Sequence, residues 1–279
     1  MQIFDTELRS FFFNSLKDIS NLNRELIYKK KNFLENLNIN KLKLKNNFLE
    51  KNITKALVTS LPYNNYKNLI KQDNYFKETF NNKDKFYCLL SLCLNKKNYE
   101  IYEKFLFKYQ NYKFYRGVEL LYDIHDNIVD INKIISFLKK CEKKNLIVKI
   151  WPVHCGKMIN SLPQLRGTIN EVYYIISKLR RPVILGGMGC GMINYLFFQK
   201  TNKILNQTFF STSIPFSLNN LNYLNKRTYS KIFFGSDYPF TGKKNFNEIV
   251  NKHKKNLPTK EISNVFFNNA NNFLNHYNY

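Results

Sequence analysis

The sequence predicts a single (β/α)8 TIM barrel spanning residues 1–279. Three observations point to it. Eight short, almost continuously apolar runs are spread along the chain, polar stretches with helical periodicity separate them, and the last run, IFFGSDYPF (232–240), ends in a carboxylate followed by a proline. Continuous apolar runs, as opposed to strict alternation, are what parallel strands covered on both faces require. A barrel of about 250 residues is ordinarily one domain, and in such barrels chemistry sits at the C-terminal ends of the strands.

The elements follow in order. The first strand is MQIFD (1–5), and a long connection, at about 6–54, has room for extra helices before the second, KALVTSL (55–61). KFYCLLSLCL (85–94) and RGVELLY (116–122) are the third and fourth strands. DINKIISFLKKCEKKN (130–145) repeats apolar residues at three- and four-residue spacing, so it predicts a helix with one face on the sheet. The fifth strand is LIVKIW (146–151), and the stretch LRGTINEVYYIISKLRR (165–181) is helical by the same spacing. PVILGGMG (182–189), QTFFSTS (207–213) and KIFFGSDYP (231–239) complete the eight; the proline cannot continue a strand. No linker, internal repeat or second domain stands out.

Composition excludes several function classes. The formal charge of +24 would ordinarily suggest an anionic partner. Yet only seven of the 44 basic residues are arginine, asparagine occurs 42 times, and Ala56 and Ala270 are the two alanines. Lys, Asn, Ile, Phe and Tyr share A/T-rich codons, so base composition accounts for the charge without a selected basic surface. The lysines are dispersed, and no aromatic-interleaved arginine pattern of a base-stacking module occurs, which argues against nucleic acid as a partner. No apolar run approaches the ~20 residues of a membrane span, and MQIFDTELRSFFF lacks the layout of a secretory signal. Five cysteines, Cys88, Cys93, Cys141, Cys155 and Cys190, form an odd set without zinc-finger spacing, so reduced thiols in a cytoplasmic protein are expected.

FFGSDYPF at the eighth strand, VFFNNANNFL (265–274) after it, PVILGGMGCG (182–191), NQTFFSTS (206–213) and the opening MQIFDTELR occur in an order that resembles the amidohydrolase superfamily, in its amidohydrolase-related branch of small hydrolases and decarboxylases. The resemblance implies a metal site made from a His-x-His pair ending strand one, histidines ending strands five and six, and an aspartate ending strand eight. A divalent cation there would lower the pKa of bound water toward ~7. This chain departs from that pattern. Glu7 and Arg9 stand where the pair would be, and residues two apart share a strand face. Arginine, permanently protonated, cannot ligate a cation. At strand five the ligand position falls on Trp151 counting along the strand, or on His154 by the local PVHCG; at strand six it falls on Gly187. Asp237 alone matches cleanly.

The expectation is therefore a hydrolase, or a decarboxylase, acting on a small anionic molecule without the usual zinc and without another cofactor. Asp237 would be the general acid or base and His154 its partner. Arg9 would hold a carboxylate or phosphate by its planar fork. Glu7, Glu119, Trp151, Gly187 and Tyr238 complete the expected substrate-binding set. Each has a plainer alternative: Glu7 neutralises Arg9, Glu119 pairs with a lysine, the glycines shape a tight loop, and Asp237 is a structural residue in a non-catalytic barrel that binds a ligand or a protein. An open polar mouth, as opposed to one filled by Trp151, separates these readings. The sequence leaves substrate and homo-oligomerisation open.

Overall fold

The computed structural model describes residues 1–9, 53–60, 62–63, 65–80, 84–92, 94, 98–108, 114–121, 129–152, 162–191, 193, 202–213, 226–237 and 246–277. Eight parallel strands run in sequence order around the sheet: β1 (Ile3–Arg9), β2 (Ile53–Thr59), β3 (Phe86–Leu92), β4 (Tyr115–Leu121), β5 (Ile147–Trp151), β6 (Val183–Leu185), β7 (Thr208–Ser211) and β8 (Ile232–Phe233). Between and after them lie α1 (Tyr66–Thr79), α2 (Tyr99–Glu103), α3 (Ile131–Lys143), α4 (Leu162–Lys178), α5 (Asn202–Gln207), α6 (Lys226–Tyr229), α7 (Phe246–Lys255) and α8 (Asn269–Leu274). Each of the eight expected strands is present, and the chain is a (β/α)8 barrel. Most of the expected 6–54 connection lies outside the described residues.

Strand boundaries shift by one to a few residues, as in β2, expected at 55–61 and found at Ile53–Thr59, and three of the differences shape the site. β1 continues to Arg9 rather than ending at Asp5. β6 stops at Leu185 because Gly187, Met188 and Gly189 turn to positive φ (56°, 55° and 64°), which breaks the extended backbone. β8 pairs over two residues only. Beyond it Phe234 donates its N–H to Val265 O instead of to a strand, while its carbonyl accepts both the N–H (2.9 Å) and the hydroxyl (2.8 Å) of Thr6. Those Thr6 bonds close the barrel between β8 and β1.

Two apolar regions organise the interior. A large cluster, including Leu8, Val58, Leu90, Val118, Ile150 and Phe210, lies between sheet and helices. A second one fills the N-terminal end of the barrel with Phe4, Leu57, Leu89, Ile147, Ile184, Phe209 and Phe233. Ala270, Phe273, Leu274 and Tyr277 of the C-terminal helical segment close that end. α3 is set by an Asp130 cap whose side chain accepts from Asn132 N, and Asn145 ends it at φ 59°. Cys88 and Cys141 are buried free thiols whose pKa values burial raises, as expected of unreactive core cysteines. Among the described residues no helix is long and apolar enough to cross a membrane.

Candidate functional site at the C-terminal mouth

Two residues on from the apolar floor, five of the strands turn polar, while β6 and β8 reach Gly186 and Gly235. Leu57 gives way to Thr59, Leu89 to Ser91, Gly117 to Glu119, Ile147 to Lys149 and Phe209 to Ser211, as the period of two in a strand requires. β1 reaches the same layer through a bulge: three steps from Asp5 to Leu8 face two steps from Ala56 to Val58. The extra residue lets Thr6 and Glu7 both enter the network while Leu8 returns to the outer cluster.

The centre of this layer is the ammonium of Lys149. Its Nζ lies 3.1 Å from Glu7 Oε1, 3.0 Å from Glu119 Oε1 and 3.1 Å from the carbonyl oxygen of Thr6. All three ionic side chains have 0 % exposure. The remaining carboxylate oxygens are also engaged: Ser211 donates to Glu7 Oε2 at 2.5 Å, and the Ser91 hydroxyl lies 2.9 Å from Glu119 Oε2 and 2.7 Å from Ser60 O. Gly235 makes room for the group, since a Cβ there would come within 2.1 Å of Ser211 Oγ and 2.9 Å of Glu7 Cβ. Removing one member of such a dry network strands charge in a low dielectric.

A second anchor fixes the end of β8. Asp5 accepts the N–H of Glu7 and the N–H of Ser236, each at 3.0 Å, and the Ser236 hydroxyl. Burial pushes the Asp5 carboxyl up from 3.8 to about 6, against the lowering effect of these hydrogen bonds. Immediately after this anchored serine, Asp237 adopts φ 48° and is half-buried. Left-handed backbone at a non-glycine residue is uncommon, is most tolerable for Asn and Asp, and concentrates at functional sites. From the other side, Gly235 N–H donates to Thr212 Oγ1 (3.2 Å), which lies 2.7 Å from His253 Nε2. His253 Nδ1 is 2.8 Å from the Ile249 carbonyl, so it carries the ring proton and Nε2 accepts. Burial beside Phe234 pulls this ring down to about 4, which keeps it neutral.

The mouth itself is shaped by Trp151, which ends β5 at 8 % exposure. Its indole lies against Gly186, where an added Cβ would stand 2.5 Å from Nε1. Gly187 donates its N–H to Ser213 Oγ at 3.1 Å, holding the glycine turn to the end of β7.

The sequence-derived candidates thus separate into layers. Glu7 and Glu119 come together, beneath the mouth and bound to Lys149; the plainer alternative for Glu119, pairing with a lysine, is the arrangement present, and Glu7 is held by Lys149 and Ser211. Trp151, Gly187 and Asp237 lie at strand ends. Arg9 ends β1, but its side chain, like His154, Tyr238, Cys93, Cys155 and the side chain of Cys190, falls outside the described residues. Sequence reasoning missed Lys149, Asp5, Ser236 and His253. A lysine inside the otherwise apolar run LIVKIW was the available signal for the first, because a charge in a strand covered on both faces needs a buried partner.

The divalent site implied by the resemblance does not fit the described residues. Among them no group of three or more His, Cys, Asp or Glu side chains could hold a metal ion. Glu7 is committed to Lys149 and Ser211, Gly187 has no side chain at the β6 position, and of the two β5 candidates Trp151 offers no ligand atom while His154 lies outside the described residues.

No protein-family model matches the sequence, and no curated protein is significantly similar to it. Solved structures do match. A variant of 5-carboxyvanillate decarboxylase from Novosphingobium aromaticivorans, solved with manganese and 3-methoxy-4-hydroxy-5-nitrobenzoic acid, superposes with a TM-score of 0.62 at 10 % identity, covering 98 % of this chain and 97 % of that one. For 4-oxalomesaconate hydratase from Rhodopseudomonas palustris the TM-score is 0.60 at 12 % identity, over 99 % and 97 %. Dihydroorotase from Saccharomyces cerevisiae, in complex with 5-fluoroorotic acid, gives 0.53 at 13 % identity, over 100 % and 84 %. At these identities the likeness is one of fold. The barrel implied by the amidohydrolase resemblance is the fold that the described residues of this chain form.

Proposed function

We propose that the chain is an amidohydrolase-like hydrolase, or a decarboxylase, acting on a small anionic molecule at the C-terminal mouth without a resident divalent cation. The observation that carries this is the end of β8. Asp5 and Thr212 grip Ser236 and Gly235 from two sides, and the next residue is a carboxylate in left-handed backbone at the rim. A residue kept in sparsely populated backbone needs surroundings that over-determine it. In this reading Asp237 moves the proton, His154 is its partner, and the Arg9 guanidinium holds the substrate's anionic group. Trp151, Gly187 and Tyr238 would contact the substrate, while Glu7 and Glu119 support the mouth from below. The committed ion pairs of Lys149 support the metal-free part.

Trp151 is the single tryptophan, so its fluorescence reports the mouth directly. Titrating small carboxylates, beginning with dihydroorotate, 5-carboxyvanillate and 4-oxalomesaconate as analogues from the structural neighbours, should identify a ligand that shifts its emission. Turnover of that compound or a relative should then be abolished in Asp237→Asn, with chelators leaving it unchanged. Turnover that survives in Asp237→Asn refutes the reading. The seat of the Trp151 indole over Gly186 favours a second one, a barrel that binds without catalysis. Saturable quenching with no conversion of any bound compound, unaltered in Asp237→Asn, would establish it.

A further inference from the structure

We infer that the ammonium of Lys149 is a built-in replacement for a divalent cation, and that the site it fills is a latent hard-cation site made by Glu7, Glu119 and the Thr6 carbonyl. Three oxygens from β1 and β4 surround one point at 3.0–3.1 Å, and the atom at that point is Lys149 Nζ. The oxygens are a carboxylate from each strand and a backbone carbonyl, the donor types that hard cations such as Mn2+ and Ca2+ take. Ser211 and Ser91 orient the two carboxylates through their other oxygens, which is how the supporting groups around a metal fix its ligands.

Charge and volume complete the argument. Two carboxylates face the lysine at 0 % exposure, and a divalent ion would balance the pair. The lysine reaches them on a four-carbon stem from β5, so truncating it vacates both the charge position and the space that water ligands of an ion would need. With the ammonium present, a divalent cation entering the same position meets like charge at contact distance, and binding is blocked. This inference deepens the metal-free half of the proposed function and does not depend on the role of Asp237.

The test is Mn2+ binding, read by loss of the free-ion electron paramagnetic resonance signal and by equilibrium dialysis. Wild-type protein should take up no ion at this site, and Lys149→Ala should bind about one equivalent, at least about tenfold more tightly than wild type. The double variant Lys149→Ala/Glu119→Gln should lose that binding. Should Lys149→Ala fail to fold alone, refolding with Mn2+ or with propylammonium, which restores the missing charge and stem, should recover the native circular dichroism spectrum. Three results would overturn the inference: a wild-type equivalent that disappears in Glu119→Gln, a folded Lys149→Ala that binds no ion, or an unfolded one that neither Mn2+ nor propylammonium rescues. A wild-type equivalent would also overturn the metal-free half of the proposed function, whereas the two Lys149→Ala results leave that half standing, and all three leave the Asp237→Asn experiment untouched, so the failures are distinguishable.

Discussion

Replacing Asp5 by asparagine isolates what a carboxylate costs in the seam that closes the barrel. Burial moves this group from 3.8 to about 6, which disfavours its charged form in the folded state by about 3 kcal/mol. Between those two values the folded chain retains a proton that the unfolded chain has lost. Stability therefore falls as the pH rises through this window, and the whole penalty is in place above about pH 6. Asparagine does not titrate. Its Oδ1 keeps the bonds from Glu7 N–H and Ser236 N–H, and its amide can donate to Ser236 Oγ once that hydroxyl turns to another acceptor, an exchange worth about 1 kcal/mol. Urea unfolding of both proteins from pH 4 to pH 8, followed by circular dichroism, gives the variant-minus-wild-type difference at each pH. That difference should climb by about 3 kcal/mol between pH 4 and about pH 7, then level off. A flat or falling difference would mean that Asp5 is already ionised at pH 4 in the fold, with its three donors outweighing burial, and the reasoning would fail.

His253 should show the opposite slope. Its ring is held at about 4, so lowering the pH from 6.5 to 4 protonates it in the unfolded chain first and removes about 3 kcal/mol of stability; in His253→Gln this acid-side loss should be absent from the same urea series, and its persistence would clear the histidine. Because the Asp5 and His253 slopes oppose each other between about pH 4 and pH 6, the pair masks itself in wild type and emerges only in the single variants. Gly235→Ala should lower the thermal midpoint by an overpacking cost of about 1–3 kcal/mol, since the new methyl group meets Ser211 and Glu7; an unchanged midpoint would show that the ion-pair layer is looser than its distances imply. Asp237→Asn should leave the melting curve within about 0.5 kcal/mol of wild type, because asparagine tolerates left-handed backbone as well as aspartate does. A large loss would make Asp237 a structural residue.

The legibility of this protein in its sequence differs sharply between backbone and site. The helix over 131–143 and the strand over 147–151 were readable because burying one face of a helix imposes a three-to-four period, and burying both faces of a strand imposes a continuous run. Glu119 was readable as an inward carboxylate on the same grounds. Its partner was not, because Lys149 stands opposite it across β4 and β5, thirty residues later in the chain. The short ladder of β8 was equally hidden, since KIFFGSDYP carries a strand's composition and only the arrival of Val265 and Thr6 diverts its hydrogen bonds.

By itself, then, the sequence determined the order of eight strands, their parallel burial and the placing of Asp237 after the last of them, because those follow from local periodicity and from proline and glycine chemistry. Tertiary structure alone decided that Glu7, Glu119 and Lys149 share one dry layer, that the β1 bulge turns Glu7 into it, and that Asp5 holds Ser236 across a separation of 231 residues. The physical reason is the range of the forces involved. Backbone preference and hydrophobic period act over a few neighbouring residues, whereas a buried charge is tolerable only where closure of the barrel brings its counter-charge within about 3 Å, and nothing in the local sequence encodes that distance.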